Sequence, residues 1–275
     1  MMGVNKALLP ALRNAVAWIL SAVMFVPLLL VAVNSLKTKA EANGMKLSLP
    51  KAFQWSNYSI VIEEGKLVRS FFNSLLYACG ATVGSILLAS LAAYVFSRHR
   101  TRFNKGMYFY LIMGIAMPTN FVTLMKVMQW THLLNTQLGI ILILTASSIP
   151  FSVFLIHGFI GGVPRELDEA GVVDGCSPIR LFLAVVMPLL KPVLVTVAIL
   201  NFMGTWSDFI HPLYFLNNSD KWPMTLAVYN FFGRFQVNWN LVSADIVLTT
   251  LPVVVIYLLG QRFIISGMTA GSVKG

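Results

Sequence analysis

The sequence predicts an all-α polytopic membrane protein with six transmembrane helices, and three observations carry that prediction. Of its 275 residues, 57% are hydrophobic and 11% are charged, against roughly 25% charged in ordinary soluble domains. The apolar residues fall in long blocks nearly free of charge, and a bilayer core about 30 Å thick requires about 20 such residues per helix. Most of the 20 Lys and Arg residues behind the net charge of +10 sit in the short segments between blocks, as membrane topology requires. That placement removes the reason to read the basic balance as nucleic-acid binding.

The blocks are residues 15–36, 71–97, 106–130, 137–161, 189–216 and 243–266. The first follows Lys6 and Arg13, and Ala40-Glu41-Ala42 resembles a cleavage site. Its apolar stretch exceeds the roughly 7–15 residues of a signal peptide, so it is expected to be an uncleaved span. The segment after the second block carries Arg98, Arg100, Arg102 and Lys105, and the one after the fourth carries Arg165, Arg180 and Lys191. Residues 131–136, between blocks three and four, carry no basic residue. Basic residues stay on the cytoplasmic side, which puts both termini there. Lys37, Lys39, Lys46, Lys51, Lys66 and Arg69 depart from the rule in the first external segment, which is long enough to obey it less strictly. The remaining segments are too short for a soluble domain, so residues 1–275 read as one membrane domain. Cys79 lies in an apolar block and Cys176 in a charged segment, so no disulfide is expected, and no spacing matches a metal site.

Residues 162–190 are unusually well specified for a segment between spans. Pro164 suits the first turn of a helix, and Glu166, Asp168 and Glu169 follow where a helix N-terminus favours negative charge. Asp174-Gly175 stops that helix, Gly being suited to a left-handed cap. Ser177-Pro178 starts another, with Ser as N-cap and Pro at the first helical position. A helix–turn–helix lying on the membrane surface is expected.

Glu169-Ala170-Gly171, Asp174-Gly175-Cys176, Phe182, Val185 and Pro188 resemble the EAA loop of ABC-importer permeases. Gly171 and Cys176 depart from that pattern, each replacing Ala with another small residue. The resemblance extends to the MalG-like permeases of carbohydrate importers through Asn73-Ser74-Leu75, Ala92-Ala93-Tyr94 before Arg98, Pro150, Trp206 with Asp208, and the tail 267–275. It implies an ABC type I importer permease fold of the MetI-like kind, in a bacterial inner or plasma membrane. It also implies a second, MalF-like permease subunit, two ATPase subunits, an extracytoplasmic solute-binding protein touching residues 217–240, and a carbohydrate substrate. In such permeases the EAA loop docks in a cleft of the ATPase. Glu169 would then face an ATPase Arg, and Thr269, Gly271 and Lys274 of the tail would reach between the ATPase subunits. No Gly-x-x-x-x-Gly-Lys-Ser/Thr phosphate loop occurs in the sequence. This chain is therefore expected to bind no cofactor and no metal, ATP and Mg being held by the partner ATPase.

Polar groups inside spans are costly unless they face a bundle interior or water. Asn201, Thr205 and Asp208 share one helical stripe flanked by Trp206 and His211. Thr145, Ser148 and Ser152 form another, and Thr119, Asn120 and Thr123 a third. Hydroxyl and amide groups beside aromatic rings suit a sugar, and the same groups also suit hydrogen bonds between packed helices. On the first reading Asn201→Ala reduces uptake while the complex stays assembled. Pro118 and Pro150 are expected to kink their helices, Lys126 to snorkel outward and Asp245 to sit at the outer interface. An intramembrane hydrolase built on Asp208 and His211 lacks a nucleophile motif. A permease importing an amino acid, polyol or sugar phosphate stays open.

Overall fold

Among the described residues, four helices are long and apolar enough to cross a membrane unaided: Pro10–Ser35, Leu67–Arg98, Gln137–Ile160 and Trp239–Ile264. They belong to a computed structural model that describes residues 5–233 and 237–270. In chain order the helices are α1 (Asn5–Ser35), α2 (Lys39–Ala42), α3 (Ser56–Glu64), α4 (Leu67–Arg98), α5 (Arg102–Met113), α6 (Phe121–Trp130) and α7 (Gln137–Ile160). There follow α8 (Glu166–Val173), α9 (Pro178–Leu181), α10 (Met187–Leu189), α11 (Lys191–Trp206), α12 (Ile210–Phe215), α13 (Met224–Ala227) and α14 (Trp239–Ala270). No strand is present among the described residues. The chain divides into two compact units, residues 1–68 with 227–250 and residues 69–226 with 251–275.

The expected first, second, fourth and sixth spans are thus continuous, whereas the third and fifth are not. Block 106–130 forms two helices, α5 and α6, neither long enough to cross alone. Pro118 has no N–H to give a helix and disfavours helical backbone at Met117. The Asn120 side chain then accepts from Thr123 N at 3.1 Å and starts α6 as its N-cap. The proline thus separates two helices where a kink in one was expected. Where the fifth block begins, Pro178–Leu189 of the preceding segment meets Lys191–Trp206 at 78°. A π-helical turn, Phe182–Val186, precedes the bend, and Pro188 and Pro192 flank it. A bend of this size has its usual causes in these features. After Trp206 the chain breaks again, and Asp208 Oδ1 accepts from His211 N at 3.0 Å at the start of α12.

In the second unit α4 approaches α7 closely because its facing residues are small. A Cβ on Gly80 would lie 3.1 Å from Ile141 Cγ2, and one on Gly84 would lie 3.1 Å from Thr145 Cγ2. The four-residue spacing repeats on both helices, the arrangement by which membrane helices pack without a hydrophobic driving force. One apolar cluster joins Ala89, Ala93, Val153 and Ile156 to Phe182, Val186 and Leu190, and a second gathers Tyr77, Ala81, Ile140, Leu144 and Phe215.

In the first unit the apolar side chains of α1 are exposed, Trp18 and Met24 by nearly four-fifths, as on a helix surrounded by lipid or another subunit. The segment after it is polar and ordered. Asn57 Nδ2 donates to Ser35 O at 2.7 Å and Lys37 O at 2.9 Å. Lys37, only 1% exposed, donates from Nζ to Lys46 O at 2.6 Å and Asn34 Oδ1 at 3.1 Å. This cation, counted against the topology rule, is therefore a buried structural group. Asp245 is 1% exposed as well, so it is covered by protein.

Candidate functional site

The segment 162–190 folds as its capping residues dictate. Arg165 is the N-cap of α8, so Pro164 lies just outside the helix and not in its first turn. Glu166, Asp168 and Glu169 occupy the first turn. At the other end Gly175 has φ +76°, the left-handed conformation that glycine adopts without strain. Cys176 N donates to Gly171 O at 2.9 Å and Gly175 N to Val172 O at 3.0 Å, the bond pair of a Schellman C-cap. The Ser177 hydroxyl accepts from Arg180 N at 3.4 Å, and Pro178 begins α9.

One side of this helix–turn–helix is fastened to the membrane helices. Arg98 Nε at the end of α4 lies 2.5 Å from Asp168 Oδ2, with the two side chains 9% and 16% exposed. Arg98 Nη1 donates to Val163 O at 3.2 Å, and Arg165 Nη2 donates to Ser97 O at 3.3 Å. The Tyr94 and Phe182 rings meet with centroids 5.3 Å apart. Gly171 packs against Leu181 so closely that a Cβ there would displace the Leu181 side chain. The glycine that departs from the EAA pattern is thus matched by its neighbour.

The other side is open. Glu169, Ala170 and Asp174 are exposed, Val173 is 87% exposed, and Val172 and Ile179 are also exposed. Between the two sides, Glu169, Val172, Val173, Cys176 and Pro178 line a groove of about 550 Å³ together with Tyr94, Arg98 and Asp168. Phe182 is buried in the core, whereas Pro188 is exposed at the bend. An acid set among exposed aliphatic groups on a braced element is suited to holding another protein and transmitting force from it.

The span-five stripe is placed differently. Asn201, 6% exposed, donates from Nδ2 to Ser85 Oγ and to Ser152 Oγ, both at 2.8 Å. Each hydroxyl passes its own proton to a backbone carbonyl, Ser85 to Thr82 at 3.0 Å and Ser152 to Ser148 at 2.7 Å. Three helices, α4, α7 and α11, are joined through one amide. Thr145, Thr205 and Trp206 are buried too, with Trp206 against the rings of Phe71 and Phe202. These residues are thus covered by other helices of this chain, whereas a surface shared with a second permease would be exposed on it. Ser148 and Asp208 are half-buried and Asn120 is exposed. The last shares its exposure with the whole segment 114–120.

Asp208 Oδ2 pairs with His211 Nδ1 at 2.6 Å, and Thr225 Oγ1 donates to Asp208 O at 2.9 Å. His211 packs against Phe121 and Phe215. The carboxylate's two oxygens are thereby used in starting and orienting α12. Thr269 lies in the last turn of α14, and Gly271 and Lys274 lie outside the described residues.

Sequence reasoning missed Arg98 and Asp168 as a pair. In the sequence Arg98 marks topology and Asp168 a helix N-terminus, and nothing in one sequence links positions seventy residues apart.

Residues 85–270 match the family model for the binding-protein-dependent transport system inner membrane component. The chain is 33% identical over 262 residues to the melibiose/raffinose/stachyose import permease protein MelC of Bacillus subtilis, covering 94% of this chain and 95% of that one. It is 31% identical over 258 residues to a probable starch degradation products transport system permease protein, AmyC, of Thermoanaerobacterium thermosulfurigenes, covering 93% and 94%. Among solved structures, a chain of a bacterial ABC transporter involved in the import of the acidic polysaccharide alginate superposes with a TM-score of 0.83 at 19% identity, over 95% of this chain and 98% of that one. With a polytopic helical fold, a braced surface loop and a match over most of its length, the chain belongs to the family of binding-protein-dependent transport system inner membrane components.

Proposed function

We propose that this permease subunit imports a carbohydrate by alternating access. In this reading it encloses a path with a second permease subunit and receives the energy of ATP hydrolysis through residues 162–190. One observation carries the coupling role: the loop is fixed on its inner side by Arg98 to Asp168 and presents Glu169 with Val172 and Val173 on its outer side. An ATPase moving against the outer side would therefore move α4 with it. ATP and Mg would be held by that partner. The names of the relatives, sugar permeases, support carbohydrate as the substrate class. Basic residues gathered at 98–105 and 165–191 support a cytoplasmic position for the loop and for both termini.

The path is assigned to the exposed, non-helical segment 114–120 together with Asn120, Ser148 and Asp208. Backbone that is not helical at membrane depth is tolerated where it is covered by protein or lines water, and this segment is exposed on the chain. Gly114 lies against Pro150, which brings the break in span three to the middle of α7.

The test is reconstitution of the complex with its binding protein, followed by measurement of ATP hydrolysis against a panel of sugars, polyols, sugar phosphates and amino acids. Stimulation by an oligosaccharide supports the reading. Stimulation by an amino acid alone removes the carbohydrate assignment and leaves the coupling loop intact.

A further inference from the structure

The ends of α4, α5 and α7 enclose a second cavity, of about 340 Å³, which shares no lining residue with the coupling groove. Aromatic rings form much of its wall: Phe96, Tyr108 and Phe109, with the His157 ring 4.0 Å from Tyr108. Arg100 and Lys105 complete it, and no acidic residue lines it. Neither cation engages a carboxylate among the described residues.

The turn that carries them is built. Asn104 Nδ2 donates to His99 O at 2.7 Å, and the Thr101 hydroxyl accepts from Asn104 N at 3.1 Å as the N-cap of α5. Arg100 and Lys105 are therefore held on either side of a fixed cap. The cavity also sits where α4 ends at Arg98, α5 begins at Arg102 and α7 ends at Ile160, which the span assignment puts at the level of the lipid headgroups. Phe109 of the wall, and Phe103 and Tyr110 beside it on α5, are more than half exposed.

We propose that this cavity binds the headgroup of an anionic phospholipid, with the phosphodiester between Arg100 and Lys105 and an acyl chain along Phe109. A basic recess between helix ends is the form such sites take. The largely aromatic wall favours a lipid over free phosphate, which would leave that wall facing water. Ser97 also lines the cavity, and its carbonyl receives Arg165, so an occupied site borders the anchor of the coupling loop. The inference rests on the span assignment and holds whichever substrate is carried.

The experiment is native mass spectrometry of the assembled complex in detergent supplied with phosphatidylglycerol and an excess of phosphatidylcholine. Wild-type complex is expected to retain phosphatidylglycerol selectively. Arg100→Gln with Lys105→Gln should retain at least about tenfold less, while Lys105→Arg keeps wild-type retention. Arg262→Gln, which removes a charge from α14, should also retain it fully. Equal retention in the double variant, no preference over phosphatidylcholine, or displacement of the lipid by millimolar inorganic phosphate would each overturn the proposal. Co-purification of the ATPase is measured alongside, and loss of the ATPase with lipid retention unchanged would make the two cations a protein contact and likewise overturn it.

Discussion

Arg98 Nε and Asp168 Oδ2 lie 2.5 Å apart and join the last residue of α4 to the first turn of α8. Around them Arg165 reaches the carbonyl of Ser97, and Tyr94 meets Phe182. The loop's own core residues Phe182 and Val186 belong to the same apolar cluster as Ala89 and Ala93 of α4. A loop held by charge, backbone and packing at once moves as part of the helix that it touches.

Glu169 is exposed on the outer side of that loop, and its reversal to Lys replaces attraction with repulsion at a docking face. Glu169→Lys should abolish uptake and ATPase co-purification while the subunit still inserts in the membrane. Wild-type transport in this variant would remove Glu169 from coupling.

Gly175 holds φ +76° with open space where a Cβ would be, so a substitution there meets backbone strain and no clash. Gly175→Val should destabilise the turn by about 1–3 kcal/mol and reduce transport. Gly175→Asn, which tolerates the left-handed region better, should retain more. Equal activity of the Val and Asn variants would mean that the turn's conformation is unimportant.

Asn201→Ala should lower stability, in contrast to the selective loss of uptake that its stripe had led us to expect. The substitution removes both hydrogen bonds to Ser85 and Ser152, together worth about 1–2 kcal/mol inside a membrane protein. A lower thermal midpoint with proportionate loss of assembled complex is the expected result. An intact, stable complex that no longer transports would return Asn201 to the path.

Thiol labelling separates the path from the packing groups. In a chain with Cys79 and Cys176 replaced by Ala, cysteines at Ile115 and Thr119, which are exposed in the break of span three, should react with a water-soluble reagent. Cysteine at Asn201 should not. The reverse pattern would place water along α11 and close the break.

The apolar blocks and the caps of the loop were legible because each depends on neighbours in sequence. Gly175 and Ser177-Pro178 adopt the conformations their residue types favour, whatever the rest of the chain does. The break in span three was written in Pro118 and Asn120, but a block's overall hydropathy hides a cap inside it. Asn201 illustrates a deeper limit. In a membrane protein a polar stripe marks a packed face as readily as a wet one, and only burial separates them. The pairing of Arg98 with Asp168 depends on where two helices end in space, which local sequence does not encode.

The most direct measurement of the coupling account is sugar uptake and ATPase co-purification for Arg98→Gln, Asp168→Asn and the paired replacement Arg98→Met with Asp168→Leu. Each single change leaves one buried charge without its partner, costing about 3 kcal/mol, whereas the apolar pair removes both charges and keeps the contact. The account predicts that each single variant assembles with the ATPase yet loses at least about tenfold in uptake, and that the apolar pair recovers much of it. Wild-type uptake in both single variants would contradict it, since the loop would then transmit force without this anchor.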